Sequence, residues 1–510
     1  MAGASGSLVD NDGSGDWMAV QIARYREVRE TIERGTLPLA TSVDGGTFEV
    51  QASLHGLQLR RGAYVALESD AGTRLGQVTD LAQHAVSADV EGLPGSRSTI
   101  LVRLAVGSGL LLDRGEPFHD ARVRPAQPDE VATWLSGTRP GRAVLTIGEM
   151  LLTPGVPAEL DSGGFNRHTF MCGQSGSGKT YSLGLLLERM LVETSLSIVV
   201  LDPNSDYVGI GRIRADADPV LAERYRDVAG DVAVWGAEAA DHRLRLRFDE
   251  LDTRTQAAVL GLDPVLDPEE YSALTDLLAA REEGQPLVTG LPELLDSPTA
   301  GARQLGMRAR NLGVLDWSVW SQEEPSLLQE IAAPTARCVV VDLGSLATMS
   351  EQRLVADAVL AALWSRRLSR EPVLVVIDEA HNICASDPVD ALSRLSTERA
   401  VQIAAEGRKY GLYLLASTQR PGKVHENVVS QCDNLLLMRM NAVSDLRELE
   451  RLFSFVPPGL MAGATMFGMG QVLVGGRIFP PGAGYVQVGD RVSQEGGADI
   501  PLTWARPRLP

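Results

Sequence analysis

Gly173-Gln-Ser-Gly-Ser-Gly178-Lys179-Thr180 has glycines, a lysine and a hydroxyl at the spacing G-x-x-x-x-G-K-[ST]. Glycines at this spacing let consecutive backbone N–H groups turn inward around phosphate oxygens, and a following helix adds the positive end of its dipole. Lys179 then reaches the β- and γ-phosphates, and the Thr180 hydroxyl ligates Mg2+. Gly173, Gln174, Ser175, Gly176, Ser177, Gly178, Lys179 and Thr180 are the candidate phosphate cradle; the plain alternative is a Gly/Ser linker. Asp378 and Glu379 close an apolar run, Val373-Leu-Val-Val-Ile377. Adjacent carboxylates there supply the other half of a nucleotide-hydrolysing site, Asp378 holding the Mg2+ shell and Glu379 orienting or deprotonating the attacking water. The alternative is a solvated acidic turn. Gln419 ends another apolar run, Leu412 to Ala416 and onward, where an amide can report whether γ-phosphate is present or merely cap a turn.

These groups have to be positioned by strands and helices, and the flanking sequence supplies both. Thr169 to Cys172 suits a buried strand, and Leu183, Leu186, Leu187, Met190 and Leu191 recur at the spacing of a helix with one core-facing stripe. Leu196 to Leu201 is a further apolar run, ending in Asp202-Pro-Asn-Ser-Asp206-Tyr207. Acids at the carboxyl end of a strand, after strand and helix, match the way doubly wound α/β sheets place ligands. Val339 to Leu343 and Leu435 to Met438 add strands, and Gln471 to Val474, Arg477 to Phe479 and Tyr485 to Val488 read as closing ones. Helical patterns broken by Pro and Gly fill about 208–335, a mostly helical insertion that holds one strand-like run, Val232 to Trp235.

Ahead of this core the hydrophobic period changes. Residues 1–34 read as a disordered tail and a short helix from Trp17 to Arg34. From about 35 to 125 short β-rich runs (Thr47 to Leu54, Ala63 to Ser69, Thr73 to Asp80, Thr99 to Val106, Ala121 to Arg124) alternate with turn signals, predicting a small β-barrel for assembly or partner docking. Residues 126–146 contain a helix from Pro128 to Leu135 and then a linker at Gly137-Thr-Arg-Pro-Gly141; 147–490 form the nucleotide-binding domain and 491–510 a tail.

The net charge of −19 repels nucleic acid at long range, so any DNA contact must come from a local basic surface. Cys172, Cys338, Cys384 and Cys432 are scattered within or beside apolar runs, reading as reduced core residues of a cytoplasmic protein. No apolar run approaches membrane-spanning length, and the N-terminus lacks a signal pattern. His55, His84, His119 and His242 have no metal-ligand spacing. His381 either couples hydrolysis to motion or packs.

Taken in order, these motifs resemble the HerA/FtsK group of P-loop motors, and within it HerA-type DNA translocases, over about residues 35–490. The resemblance rests on Arg167 before the Gly173–Thr180 loop, Asp202-Pro-Asn-Ser-Asp-Tyr207, Asp378-Glu-Ala-His381, Glu406-Gly-Arg-Lys-Tyr-Gly411 and Ser417-Thr-Gln-Arg-Pro421. It implies a RecA-like P-loop ATPase core preceded by a small barrel, and a homohexameric ring with ATP at subunit interfaces and double-stranded DNA in its channel. By the same resemblance Arg408 is similar to the arginine that reaches a neighbour's site, and Arg167 to an accessory phosphate-contacting arginine. Arg408 and Lys409 are otherwise helix-ending cations before a Gly411 cap. Two departures are visible. Ser205-Asp206 stands where the family usually has Gly-Glu, leaving the role of that acid open, and Met469-Gly-Gln-Val-Leu stands where it has Gly-Glu-Ala-Leu.

The expectation is therefore an ATP-hydrolysing hexameric motor on double-stranded DNA, working with a nuclease or other effector in DNA end processing or defence. Its rivals are an ATP-binding ring scaffold that assembles an effector without translocation, and a pump of DNA or protein that has a separate membrane partner.

Overall fold

The computed structural model describes residues 13–89, 99–138, 143–236, 240–282, 291–321, 325–479 and 482–496. The extreme N-terminal tail, the Arg139–Arg142 part of the linker and the C-terminal tail beyond Gly496 lie outside the described residues. Two compact units are distinguished, Met1–Thr133 and Trp134–Pro510.

In the first unit a helix, α1 (Gly13–Gly35), lays Tyr25, Val28 and Ile32 on Val102 and Leu104. Six strands follow: β1 (Leu39–Ser42), β2 (Thr47–Ser53), β3 (Tyr64–Ser69), β4 (Gly72–Asp89), β5 (Thr99–Leu111) and β6 (Phe118–Pro125). They run in the order β1-β2-β5-β4-β3-β6, and β6 pairs back to β1, so the sheet closes as a barrel. Alternate side chains point inward, and Phe48, Val50, Val65, Leu67, Val78 and Val123 fill the interior. The closing strand β1 is too short to show a period of two, and sequence reading passes over it.

The second unit is built on a twelve-stranded sheet. Its strands are β7 (Val144–Met150), β8 (Pro157–Asp161), β9 (His168–Cys172), β10 (Ser197–Asp202), β11 (Val232–Gly236), β12 (His242–Arg243), β13 (Cys338–Asp342), β14 (Val373–Ile377), β15 (Leu412–Thr418), β16 (Cys432–Leu437), β17 (Gln471–Gly476) and β18 (Ala483–Val488). The order is β12-β11-β13-β10-β14-β15-β9-β16-β17-β18-β7-β8. From β12 to β16 neighbours are parallel; beyond β16 they are antiparallel. Parallel strands covered on both faces have no solvent side, which explains why β10, β13 and β14 read as unbroken apolar runs.

Helices α2 (Pro128–Gly137) and α3 (Lys179–Glu193) precede the region from 208 to 335, which contains α4 (Pro219–Ala229), α5 (Thr253–Val259), α6 (Pro268–Glu282), α7 (Ala300–Asn311) and α8 (Leu327–Ala332). Its strand β11 pairs with β13, so the region extends the main sheet as well as inserting helices. Arg477–Phe479 is a turn rather than a closing strand: the Phe479 N–H bonds back to the Gly476 carbonyl at 3.0 Å.

Candidate active site

The fully buried strand β9 delivers the chain to Gly173, and α3 starts at Lys179. Between them Gly176 and Gly178 adopt φ of 71° and 90°, a region that a side chain strains to enter. A Cβ at Gly173 would lie 2.7 Å from the Met438 side chain and 2.8 Å from the Ser177 hydroxyl, so the loop also needs a glycine where it leaves the strand. The Gln174 N–H donates to the Arg439 carbonyl at 2.9 Å, fixing the loop against the segment after β16.

Lys179 is buried, and its Nζ donates to Asp378 Oδ1 at 2.6 Å and Ser417 Oγ at 3.1 Å, with Glu379 Oε1 at 3.2 Å. Burial alone pushes the amine toward neutrality; the two carboxylates outweigh it and hold the proton on. The Tyr207 hydroxyl donates to Asp378 Oδ2 at 3.3 Å, giving that buried carboxylate partners on both oxygens.

Glu379 sits at φ 42°, an uncommon conformation for a residue with a side chain and one that clusters at functional sites. Gln419 Nε2 donates to its Oε1 at 2.9 Å, and His381 Nδ1 lies 3.2 Å from Oε2. Burial raises the Glu379 carboxyl, but His381, Lys179 and Gln419 together bring it down to about 2, so it is an anion at neutral pH. His381 also stands 3.1 Å from the Thr418 hydroxyl, so it touches the acid and the strand end that carries Gln419.

The sheet order explains this convergence. β15 lies between β9 and β14, so the phosphate loop, Ser417–Gln419 and Asp378–Glu379 emerge from three adjacent strands at one end of the sheet. β10 brings a fourth group on the far side of β14. Asp202 accepts the N–H groups of Asn204, Asp206 and Tyr207 at 3.3, 3.0 and 2.8 Å, winding the loop so that Asp206 Oδ2 faces the Thr180 hydroxyl at 3.5 Å. Burial lifts the Asp202 carboxyl to about 7, and it also raises Asp206, with help from the Asp378 charge. Ser205, at φ 61°, donates its hydroxyl to Asp342 Oδ1 at 2.7 Å.

Arg167 and Arg408 are elsewhere. Arg167 precedes the first residue of β9, whose last residue leads into the phosphate loop, and Arg408 precedes β15, whose far end carries Gln419. At about 3.3 Å per residue, the five residues of β9 put roughly 16 Å between the two ends. Both arginines instead approach Asp433 Oδ2, Arg408 at 3.3 Å and Arg167 at 3.8 Å. Neither reaches the phosphate loop of its own chain. Sequence reading missed Asp433 and gave no role to Ser417; each is placed by strand neighbours far away in the chain.

The family described as "Helicase HerA, central domain" matches residues 145–289. The chain is 23% identical to the DNA double-strand break repair helicase HerA of Pyrococcus furiosus over 401 residues, 66% of this chain and 68% of the relative. It is 22% identical to the protein of the same name from Sulfolobus acidocaldarius over 451 residues, covering 82% and 87%. Among solved structures it is similar to VirB4 of Thermoanaerobacter pseudethanolicus, with 14% identity, a TM-score of 0.46 and coverage of 69% and 98%. The family match falls on the stretch that holds the phosphate loop and the Asp202–Tyr207 loop, and the relatives extend it over most of the chain. With a lysine, paired carboxylates and an amide gathered at that loop, the chain is an ATPase similar to the HerA type.

Proposed function

We propose that the protein is an ATP-driven motor that translocates on double-stranded DNA as a homohexameric ring, with each nucleotide held between two subunits. The observation that carries this reading is the division of labour across the sheet. Lys179, Asp378, Glu379 and Gln419 converge at one end, while Arg167 and Arg408 stand together at the other. A ring stacks such ends against each other and gives those arginines a phosphate to meet. The relatives that extend over most of the chain carry names of DNA repair helicases, which favours duplex DNA as the track.

In this reading the Gly173–Thr180 backbone and Lys179 bind the β- and γ-phosphates, Glu379 orients and deprotonates the attacking water, and Gln419 couples Glu379 to the γ-phosphate. The donor set also fits Mg2+, a hard cation that prefers oxygen: the Thr180 hydroxyl lies beside Asp206, and Asp378 is a buried carboxylate at the same strand ends. Thr180 and Asp378 would hold the ion, and when bound it supplies charge neutralisation at the phosphates. Arg408 supplies positive charge from the neighbouring subunit, and Arg167 assists it. Exposed Arg420 and Lys423, directly after Gln419, carry the signal to the DNA channel. The barrel unit serves assembly and docks a nuclease or other effector.

ATP turnover with and without duplex DNA, across a salt series, tests the reading. A chain of net charge −19 holds DNA through a few clustered cations, so stimulation is expected at low salt and fades steeply as counterions compete. Turnover that ignores DNA at the lowest salt favours a scaffold over a motor.

A further inference from the structure

Two guanidiniums brought to a single carboxylate oxygen from segments that lead into different strands repel each other unless an anion lies between them. Here the chain departs from regular strand geometry to provide that anion. In the pairing of β16 with β9, Cys432 faces His168 and Asn434 faces Thr169, so Asp433 is one residue too many, the extra residue of a β-bulge. Bulges re-aim a side chain at functional sites.

Two neighbours accommodate the bulge without using the Asp433 side chain. Gly476 takes φ 101°, and a Cβ there would come within 2.1 Å of the Asp433 carbonyl oxygen. The Asn434 amide is fully engaged, donating to the Gly164 carbonyl and the Thr169 hydroxyl at 3.1 Å each and accepting from the Ile478 N–H at 3.1 Å. His168, directly beside Arg167, is pushed down to about 4 by burial and by the Arg408 charge, so it stays neutral and adds no third cation. Half-exposed ion pairs contribute little stability, so stability gives little reason to build a bulge for one.

We propose that Asp433 is a positioning residue that holds Arg167 and Arg408 side by side for delivery to the nucleotide phosphates of a neighbouring subunit. The proposal rests on the ring reading above. Asp433 acts only through the arginines and touches no nucleotide.

The test is Asp433→Asn in the full-length protein, which keeps side-chain size and leaves the bulge to Gly476 and Asn434. Melting temperature, KM and ATP affinity are expected to match wild type, while kcat falls at least about tenfold, because misplacing a transition-state group by about an ångström has effects of that order or larger. Asp433→Glu, which keeps the charge, is expected to recover part of the loss; should the Asn variant melt early, Asp433→Ser, which also removes the charge, carries the same comparison.

Mixed assemblies separate positioning from a defect in the variant's own site. Co-assembly with Lys179→Ala subunits pairs an intact phosphate loop from the Asp433→Asn subunit with an intact Asp433 and arginines from its neighbour. Activity should return, as it should when Arg408→Ala subunits are mixed in the same way. Wild-type kcat in Asp433→Asn overturns the proposal, and so does recovery with Arg408→Ala but not with Asp433→Asn. If neither mixture recovers, the trans reading of Arg408 has failed, and the role of Asp433 fails with it.

Discussion

Lys179 and Glu379 lie 3.2 Å apart, yet the proposed mechanism gives them different work, and that difference is measurable. In that mechanism Lys179 grips phosphate in ground and transition states alike, so Lys179→Ala is expected to raise the dissociation constant for ATP. The same mechanism assigns Glu379 to the water, so Glu379→Gln should bind ATP within a few-fold of wild type while kcat drops by about 10²–10⁴. Nucleotide titration and phosphate release distinguish the two, and equal turnover in wild type and Glu379→Gln would remove Glu379 from the reaction. Removing the lysine also leaves Asp378 and Glu379 without their shared buried cation, a loss that costs about 3–5 kcal/mol for a buried pair, so Lys179→Ala should melt earlier as well. The loop and the carboxylate pair were legible because each is spelled by contiguous residues whose chemistry is tied to their order. Ser417 and Tyr207 stood inside motifs already noticed, but their bonds to Lys179 and Asp378 depend on which strands are neighbours, which local sequence does not encode. Arg167 shows the opposite trap: it is six residues from Gly173 in sequence and a whole strand length away in space.

Among the elements, parallel strands were the most readable, since burial on both faces leaves apolar runs with no period to misjudge. Their spatial order was not readable, because β15 enters between β9 and β14 from more than two hundred residues downstream of the phosphate loop. The bulge at Asp433 was equally hidden: one extra residue in a strand leaves no mark in hydrophobicity. Its partner Gly476 gives a test at this scale. Gly476→Ala places a methyl where the Asp433 carbonyl already stands and asks a side chain to take φ 101°. The expected result is a loss of about 1–3 kcal/mol in denaturant melts, with kcat falling further than that loss explains because Asp433 moves. A Gly476→Ala protein with wild-type stability and turnover would show that the bulge tolerates displacement.

The whole molecule gathers its candidate phosphate-binding groups at one end of the sheet and sets a pair of arginines at the other, out of reach of them. The groups proposed to hold phosphate and Mg2+, from Gly173 to Thr180 with Asp378 alongside, belong to one end of one sheet, so an isolated subunit should bind ATP. Arg408 stands at the other end, so an isolated subunit should hydrolyse ATP poorly. An arginine supplied in trans contributes about 10³-fold or more in rate. Turnover per subunit should therefore climb with protein concentration over the range in which rings form, while the dissociation constant for a non-hydrolysable nucleotide changes little. The net charge of −19 makes subunits repel, so screening by moderate salt should shift that rise to lower concentration when DNA is absent. The same salt weakens the DNA response, and the opposite signs separate assembly from DNA contact. Arg408→Ala isolates the cause: it should form rings over the same concentrations, as seen by sedimentation, yet remain near the turnover of diluted wild type. A wild-type rate that is independent of concentration through the assembly transition, or an Arg408→Ala ring that turns over normally, would mean that each subunit completes its own site and that the distant arginines serve the fold alone.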